Sequence, residues 1–255
     1  MSSQSCQNKG SCTGIWCRFH DSHPAYLARH YWWAYLWHWG VWFFDHQPII
    51  NAILFGQYQT LSHRALHDCM TNRPEGRVLQ LTCAYGSMTP ALIHAMDDEL
   101  YLMDVAEIQL NATLKKITDT DKKRLLCARM NAERLAYAEN AFSTVLIFFL
   151  LHELPPEAHE RSISEAIRVL RPGGRFVITE YGACPKKHLL WRLRPTRLLL
   201  QWLEPFLASF WQVDLAAMLG DHAKKQGKLI RQVDEFHCFA SFYRVSVFEL
   251  DHLPS

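Results

Sequence analysis

Residues 77–86 read Arg-Val-Leu-Gln-Leu-Thr-Cys-Ala-Tyr-Gly. An apolar run of strand length that breaks into a tight turn and then a helix marks the place where a doubly wound α/β domain holds a nucleotide-type cofactor. Such a turn usually carries two or three glycines, so that the backbone can approach the ligand. Here only Gly86 remains, behind Cys83, Ala84 and Tyr85. The stretch predicts a familiar cofactor loop with altered chemistry.

Strands and helices alternate on the C-terminal side of this turn. A first strand is expected over 77–82 and a helix over 89–96, where Pro90 is tolerated in a first helical turn. A second strand over 99–105, a helix over 106–118 and a third strand over 125–130 follow. Residues 142–151 are nearly all apolar, as befits a strand at the centre of a parallel sheet. A helix over 156–170 is closed by Arg171-Pro172-Gly173-Gly174, a sharp stop. A fifth strand is expected over 175–181, and 236–250 supplies a sixth and seventh strand or a hairpin. The fold class is α/β, doubly wound, with a mostly parallel seven-stranded sheet.

Composition narrows the function classes. The chain has 255 residues, 49% hydrophobic, with a net charge of +2, and no basic stripe interleaved with aromatics, so nucleic acid is not expected as a partner. The eight cysteines include Cys69, Cys83, Cys127, Cys184 and Cys238. A chain this large needs no disulfide framework, which points to a reducing, cytosolic compartment. Cys6, Cys12, Cys17, His20 and His23 lack the spacing of a structural zinc site and read as ordinary free thiols and histidines in a flexible N-terminus. The first acidic residue is Asp21, which is compatible with a targeting segment. The aromatic stretch 31–44 falls short of the ~20 residues that span a bilayer, so a soluble or peripheral protein is expected.

Tryptophan placement divides the chain. Trp16, Trp32, Trp33, Trp37, Trp39 and Trp42 lie near one end and Trp191, Trp202 and Trp211 near the other, with none between. The expected organisation is a flexible N-terminus over 1–25, an aromatic helical cap over 26–72, and a cofactor-binding domain over 73–255 with a helical lid insert around 186–230.

In a doubly wound sheet, ligands bind outside the carboxyl ends of the strands. Asp104 ends the second strand at about the ~20-residue spacing at which an acid accepts the ribose hydroxyls; the plainer reading is a solvated strand-end carboxylate. Asn131-Ala132 ends the third strand, where a purine is received, although asparagine is also an ordinary turn residue. His152-Glu153 follows the fourth strand and suits proton transfer or metal ligation; alternatively Glu153 caps or pairs locally. Tyr181, ending the fifth strand, lines a substrate cavity or serves as a core tyrosine.

These pieces carry a resemblance. The strand–loop–helix, the acid after strand two, Asn131-Ala132-Glu133-Arg134-Leu135, Leu151-His152-Glu153-Leu154 and Leu170-Arg171-Pro172-Gly173-Gly174 look like class I S-adenosylmethionine-dependent methyltransferases over roughly 75–182. The quinone-biosynthesis group is the most similar; Asn131 stands where that group typically has an aspartate. Tyr31-Trp32-Trp33-Ala34-Tyr35, Phe43-Phe44-Asp45, Asn51-Ala52-Ile53-Leu54-Phe55-Gly56, the Cys83–Gly86 turn and Phe148-Phe149-Leu150-Leu151-His152-Glu153 further resemble the rhodoquinone-biosynthesis methyltransferase-like family. Ser87 departs from the acidic residue expected there.

The resemblance implies an enzyme that converts ubiquinone to rhodoquinone by replacing a ring methoxy group with an amino group. S-adenosylmethionine would be the amino donor and a divalent metal, manganese, would assist; the metal ligands are left unassigned. It places the cofactor against Gln80, Thr82, Cys83, Ala84, Tyr85 and Gly86, then Asp104, Val105, Asn131, Ala132 and Leu151. Catalytic roles fall to Tyr85, His152, Glu153 and Tyr181. With glycines missing, the Cys83 and Tyr85 side chains would intrude where a methionine moiety normally lies and expose the cofactor's amine. A polyprenyl quinone must come from a membrane. Trp-rich flanks and the basic, apolar stretch with Lys186, Lys187, Arg192, Arg194 and Arg197 around Leu189-Leu190-Trp191 agree with peripheral contact, though a helix packed as core explains much of the same pattern. The implied location is cytoplasmic at the inner membrane, or the mitochondrial matrix in a eukaryote. Two other functions stay open: conventional methyl transfer to a quinone or other lipophilic acceptor, and non-catalytic quinone or lipid binding on a degenerate fold.

Overall fold

The computed structural model describes residues 23–182, 184 and 192–252. Cys6, Cys12, Cys17 and His20, and the stretch with Lys186, Lys187 and Trp191, lie outside the described residues. Among the described residues the chain opens with helices α1 (Ala25–His30), α2 (Trp32–Tyr35), α3 (His38–Phe44), α4 (Gln47–Ile53) and α5 (Tyr58–Met70). Then come β1 (Val78–Leu81), α6 (Met88–His94), β2 (Leu100–Asp104), α7 (Glu107–Leu114), α8 (Asp119–Lys122), β3 (Leu125–Arg129) and β4 (Phe142–Phe148). A 3-10 turn (Leu151–Glu153) leads to α9 (Pro156–Val169) and β5 (Leu170–Tyr181). Helices α10 (Arg194–Leu203), α11 (Leu207–Phe210) and α12 (Leu215–Lys225) precede β6 (Lys228–Cys238) and β7 (Tyr243–His252). No helix among the described residues is long and apolar enough to cross a membrane.

The strands form one seven-stranded sheet in the order β3-β2-β1-β4-β5-β7-β6. β1 to β5 run parallel, and β7 lies antiparallel to both β5 and β6. Strand order reverses between β1 and β4, which opens a crevice at their carboxyl ends. β1 and β4 are buried at every position, as strands covered on both faces must be. Helix α9 buries Ala158, His159, Ser162, Ile163, Ala166 and Ile167 along one side, the spacing of an amphipathic helix. It stops at Val169, before Pro172, and Lys228 donates to the freed carbonyls of Ile167, Arg168 and Leu170 at 2.8, 3.2 and 3.0 Å.

Several boundaries differ from the sequence reading. β4 ends at Phe148, not at 151, because Phe149 takes a left-handed φ of 58° and turns the chain out of the ladder. β5 starts at Leu170, with 171–174 inserted as an irregularity between the Phe142–Leu170 and Thr144–Arg175 pairs; Gly173 at φ 72° permits it. The helix expected over 106–118 ends at Leu114, and α8 follows, its amide at Asp121 capped by the Thr118 hydroxyl at 3.1 Å. β6 begins at Lys228 rather than 236. It is an edge strand, largely exposed and polar over 231–235, and so lacks the apolar alternation that marks a half-buried strand.

Helix α5 fixes the turn after β1. The Tyr58 hydroxyl donates to the Tyr85 carbonyl at 3.0 Å and accepts the amides of Ser87 and Met88 at 2.7 and 2.9 Å. Gly86 lies against the same ring at φ 77°, and a Cβ there would sit 2.7 Å from Tyr58. Only glycine fits that approach. Tyr58→Phe deletes all three bonds and leaves the buried Met88 amide unpaired. Urea unfolding is expected to show a loss of about 2 kcal/mol with an unchanged slope against denaturant.

Candidate functional site

The turn from β1 to α6 is built from unusual backbone. Thr82 donates to Met103 across the sheet at 2.9 Å and then takes φ 70°. A β-branched residue in that region is strained, at a position where glycine would be free of cost. Beneath it, buried Gln80 donates to the Thr82 carbonyl at 3.0 Å and the Thr89 hydroxyl at 2.9 Å. Asp104, at the end of β2, accepts the amides of Cys83 and Ala106, each at 2.8 Å, one on each oxygen. Burial pushes its pKa up to about 6, against the opposing pull of those two amides.

The N-terminal helices grip the same turn. Asp45, capping α3, accepts the Gly86 amide at 3.0 Å. Lys116 donates to Asp45 at 2.6 Å and to the Gly86 carbonyl at 2.8 Å. The Tyr85 ring stacks on Tyr35, with centroids 5.4 Å apart and planes 11° from parallel. Its hydroxyl donates to the Ala34 carbonyl at 2.5 Å and accepts from Gln109 at 2.8 Å.

Across the crevice lies a group of acids around one imidazole. Glu180, near the end of β5, accepts the amides of Leu150 and Leu151 at 2.8 and 2.5 Å and pairs with His152 Nδ1 at 2.7 Å. The other ring nitrogen, Nε2, lies 3.9 Å from Glu153 and 3.7 Å from Glu204, the residue that ends α10. Tyr35 donates to Glu153, and Tyr31 donates to Glu204 at 3.2 Å. Tyr181 packs edge-on against His152 with centroids 4.8 Å apart.

Three carboxylates share one imidazole here, Glu180 fully buried and Glu153 and Glu204 half-buried at the edge of the cleft. Burial alone would lower the His152 pKa, but Glu180 and Glu204 outweigh it and raise the ring to about 9. Burial and the neighbouring Glu204 push Glu153 up to about 8 against the pull of His152. Burial likewise raises Glu204. Glu180 alone is lowered: burial acts upward, but His152 and the two amides overcome it. The cluster therefore holds protons near neutral pH to balance its negative charge. His152, Glu153 and Glu204 each offer a ligand atom, all within 4.8 Å of one another, so a divalent cation would balance the same charge.

Turn and cluster open onto one cleft. Of the expected residues, Thr82, Cys83, Ala84, Tyr85, Asp104, Val105, His152, Glu153 and Tyr181 line it. Gln80, Gly86 and Leu151 lie behind that wall, buried in the supporting structure. Asn131 and Ala132 are also outside the lining. The Asn131 side chain is turned back on its own loop, accepting the Glu133 amide at 2.9 Å, as asparagine does in turns. His23 lies beside Arg129 at 3.3 Å.

Sequence reasoning missed Glu180, Glu204, Tyr31, Tyr35 and Asp45. Two signals were available. Glu180 is the one acid inside the apolar run Phe176–Tyr181, and Glu204 is the next acid after it in the chain. A charge within a buried strand is kept only where it has partners.

Residues 78–174 match the family described as Methyltransferase domain. Among curated relatives, the ubiquinone/menaquinone biosynthesis C-methyltransferase of Vibrio campbellii is 28% identical over 136 residues, 52% of each chain. The demethylmenaquinone methyltransferase of Beutenbergia cavernae is 30% identical over 137 residues, 54% of each. The chain thus spans about half the length of the curated relatives it matches. Among solved structures, N-methyltransferase NodS from Bradyrhizobium japonicum, in complex with S-adenosyl-L-homocysteine, aligns with TM-score 0.51 at 15% identity over 75% of this chain and 86% of its own. The [4+2]-cyclase SpnF aligns with TM-score 0.56 at 14% identity, over 83% and 95%. The fold is that of the class I methyltransferases, and residues 78–174 are similar in sequence to a methyltransferase domain, as is about half the chain to the quinone C-methyltransferases.

The strain at Thr82 has a direct readout. Thr82→Gly is expected to raise stability by about 1 kcal/mol, the left-handed penalty less glycine's own entropy cost. Chemical denaturation of the two proteins side by side checks it.

Proposed function

We propose that this chain is an S-adenosylmethionine-dependent transferase acting on a lipophilic quinone. In its finer form the reaction converts ubiquinone to rhodoquinone, exchanging a ring methoxy group for an amino group drawn from S-adenosylmethionine. The observation that carries this reading is the furnishing of the turn after β1. Where a glycine loop leaves room, Tyr85 stacks over Tyr35 and joins Cys83 on the cleft wall. A donor held against that wall has less depth for its methionine end, which favours a pose with the amine toward the acids.

The polar residues fit the demands of such a substitution. The donor amine that attacks the ring carbon must shed a proton, and the departing methoxide must gain one. Loss of the donor's Cα proton then passes two electrons to the quinone ring. Water cleaves the resulting imine, breaking the Cα–N bond to leave the aminoquinol and a 2-oxo acid. Glu153 and His152, with pKa values raised to about 8 and 9, can move protons in that range. Glu180 holds Nδ1 of the imidazole, so its exchangeable site toward the cleft is Nε2. Asp104, on the opposite side, suits the ribose hydroxyls of the donor.

A divalent cation fits the same donor set, and would take the place of the protons there, leaving His152 and Glu153 as ligands instead of proton carriers. His152, Glu153 and Glu204 would hold it, and the carboxylate of Glu180 behind the imidazole matches the way ligating histidines are oriented. One imidazole with two carboxylates suits manganese. Bound there, a cation would supply Lewis acidity toward a quinone oxygen.

A second reading, methyl transfer to a quinone carbon, is favoured by the similarity to a quinone C-methyltransferase and a demethylmenaquinone methyltransferase. The products separate the two. Expressed in cells that contain ubiquinone, the protein is expected to yield an aminoquinone on mass spectrometry of extracted lipids, and Glu153→Gln to reduce it by about a hundredfold or more. A methylated quinone with S-adenosylhomocysteine as co-product would instead establish the second reading. Donor binding has its own signature: since Asp104 takes up a proton near pH 6, calorimetric affinity for S-adenosylhomocysteine is expected to fall as pH is lowered through about 6. Asp104→Asn should bind weakly and flatten that dependence.

A further inference from the structure

Helix α10 carries apolar residues on two sides. Leu200 packs against the core, whereas Leu198, Leu199 and Trp202 point outward, 61%, 55% and 74% exposed. At 3.6 residues per turn these three share an arc of roughly 100°, the width of an apolar stripe that normally faces a partner. No residue of the helix is buried. Exposed Arg192 and Arg194 stand at its start. The chain holds no acid between Glu180 and Glu204, while Lys186, Lys187, Arg192, Arg194 and Arg197 all fall in that interval.

We propose that the outward face of α10 docks on an anionic lipid bilayer. An exposed arc of leucines with a tryptophan, bordered by basic residues, is the pattern of a helix that lies in the headgroup region. The arginines meet the negative surface potential of such a membrane. A second copy of the chain is the poorer occupant: the stretch 181–203 carries five basic residues and no acid, so like charge rather than complementary charge would meet along most of an isologous contact.

The helix also connects the surface to the cleft. Glu204, at its end, reaches His152 at 3.7 Å and takes a hydrogen bond from Tyr31, and Phe206 lies against His30 and Tyr31. A membrane under α10 therefore lies beside the cluster that the cleft contains. The proposal stands on this face and not on the identity of the reaction.

The test is co-sedimentation of the full chain with vesicles, without donor or quinone, so its outcome is independent of the products above. Vesicles of phosphatidylcholine containing about one-third phosphatidylglycerol should bind the protein, phosphatidylcholine alone should bind it poorly, and added salt should weaken binding. Leu198→Ser/Leu199→Ser/Trp202→Ser, and separately Arg192→Glu/Arg194→Glu, should each weaken binding about tenfold or more. All five side chains are exposed, and thermal unfolding of both variants should match the parent. The proposal is overturned if the parent ignores anionic vesicles, or if both variants bind as the parent does. It is equally overturned if binding is lost only in Trp39→Ser/Trp42→Ser, or if the triple variant turns a dimer into a monomer in sedimentation equilibrium.

Discussion

A negative charge buried at the end of β5 organises the working end of the sheet. Glu180 is fully enclosed, and a lone carboxylate there would be prohibitive. Two amides and an imidazole make it tolerable, and each of those partners is thereby fixed. The amides belong to Leu150 and Leu151, so the chain must leave β4 through the left-handed turn at Phe149. The imidazole must present its other nitrogen to Glu153 and Glu204. The end of α10 and the hydroxyls of Tyr31 and Tyr35 are placed in turn by those acids. A strand-end charge thus sets the positions of residues from four separate stretches of chain.

The other wall of the cleft follows a parallel logic with a different outcome. Asp104 spends both oxygens on backbone amides, while Asp45, Lys116 and Tyr58 take up the remaining polar groups around Gly86. A glycine-rich turn offers its backbone to a ligand. This turn offers side chains, with its backbone largely committed to the protein. The same architecture hosts an N-methyltransferase and a [4+2]-cyclase among its solved relatives, so the fold alone does not choose a reaction. What distinguishes this cleft is its furnishing, with Tyr85 and Cys83 on one wall and the acids opposite.

How much of this was legible in the sequence depended on whether the signal was local. The parallel strands were readable because 78–81 and 142–148 are buried throughout and therefore mostly apolar, Gln80, Ser143 and Thr144 excepted. The edge strand β6 was read short because exposure removes that pattern. At the cleft, Asp104, His152 and Tyr85 could be located from strand ends and a turn. Asn131 sits where the topology puts a purine contact, yet its amide satisfies its own loop first. Glu204 and Tyr31 are partners across most of the chain, and no local pattern reports such a pairing. Glu180 carried a signal, an acid in an apolar strand, that only the cost of burying charge makes meaningful.

The tie between Tyr31 and Glu204 joins residues 173 apart in sequence. During synthesis the aromatic helices emerge first, and at ~5–20 residues per second the acid that secures Tyr31 follows roughly ten to thirty seconds later. Tyr35 waits for Glu153, 118 residues on, and Tyr31 waits longer for Glu204. Chains in that incompletely packed condition expose apolar surface and are prone to self-association. The order of the genetic message thus sets a period in which the two tyrosine hydroxyls lack the acids that hold them in the finished molecule.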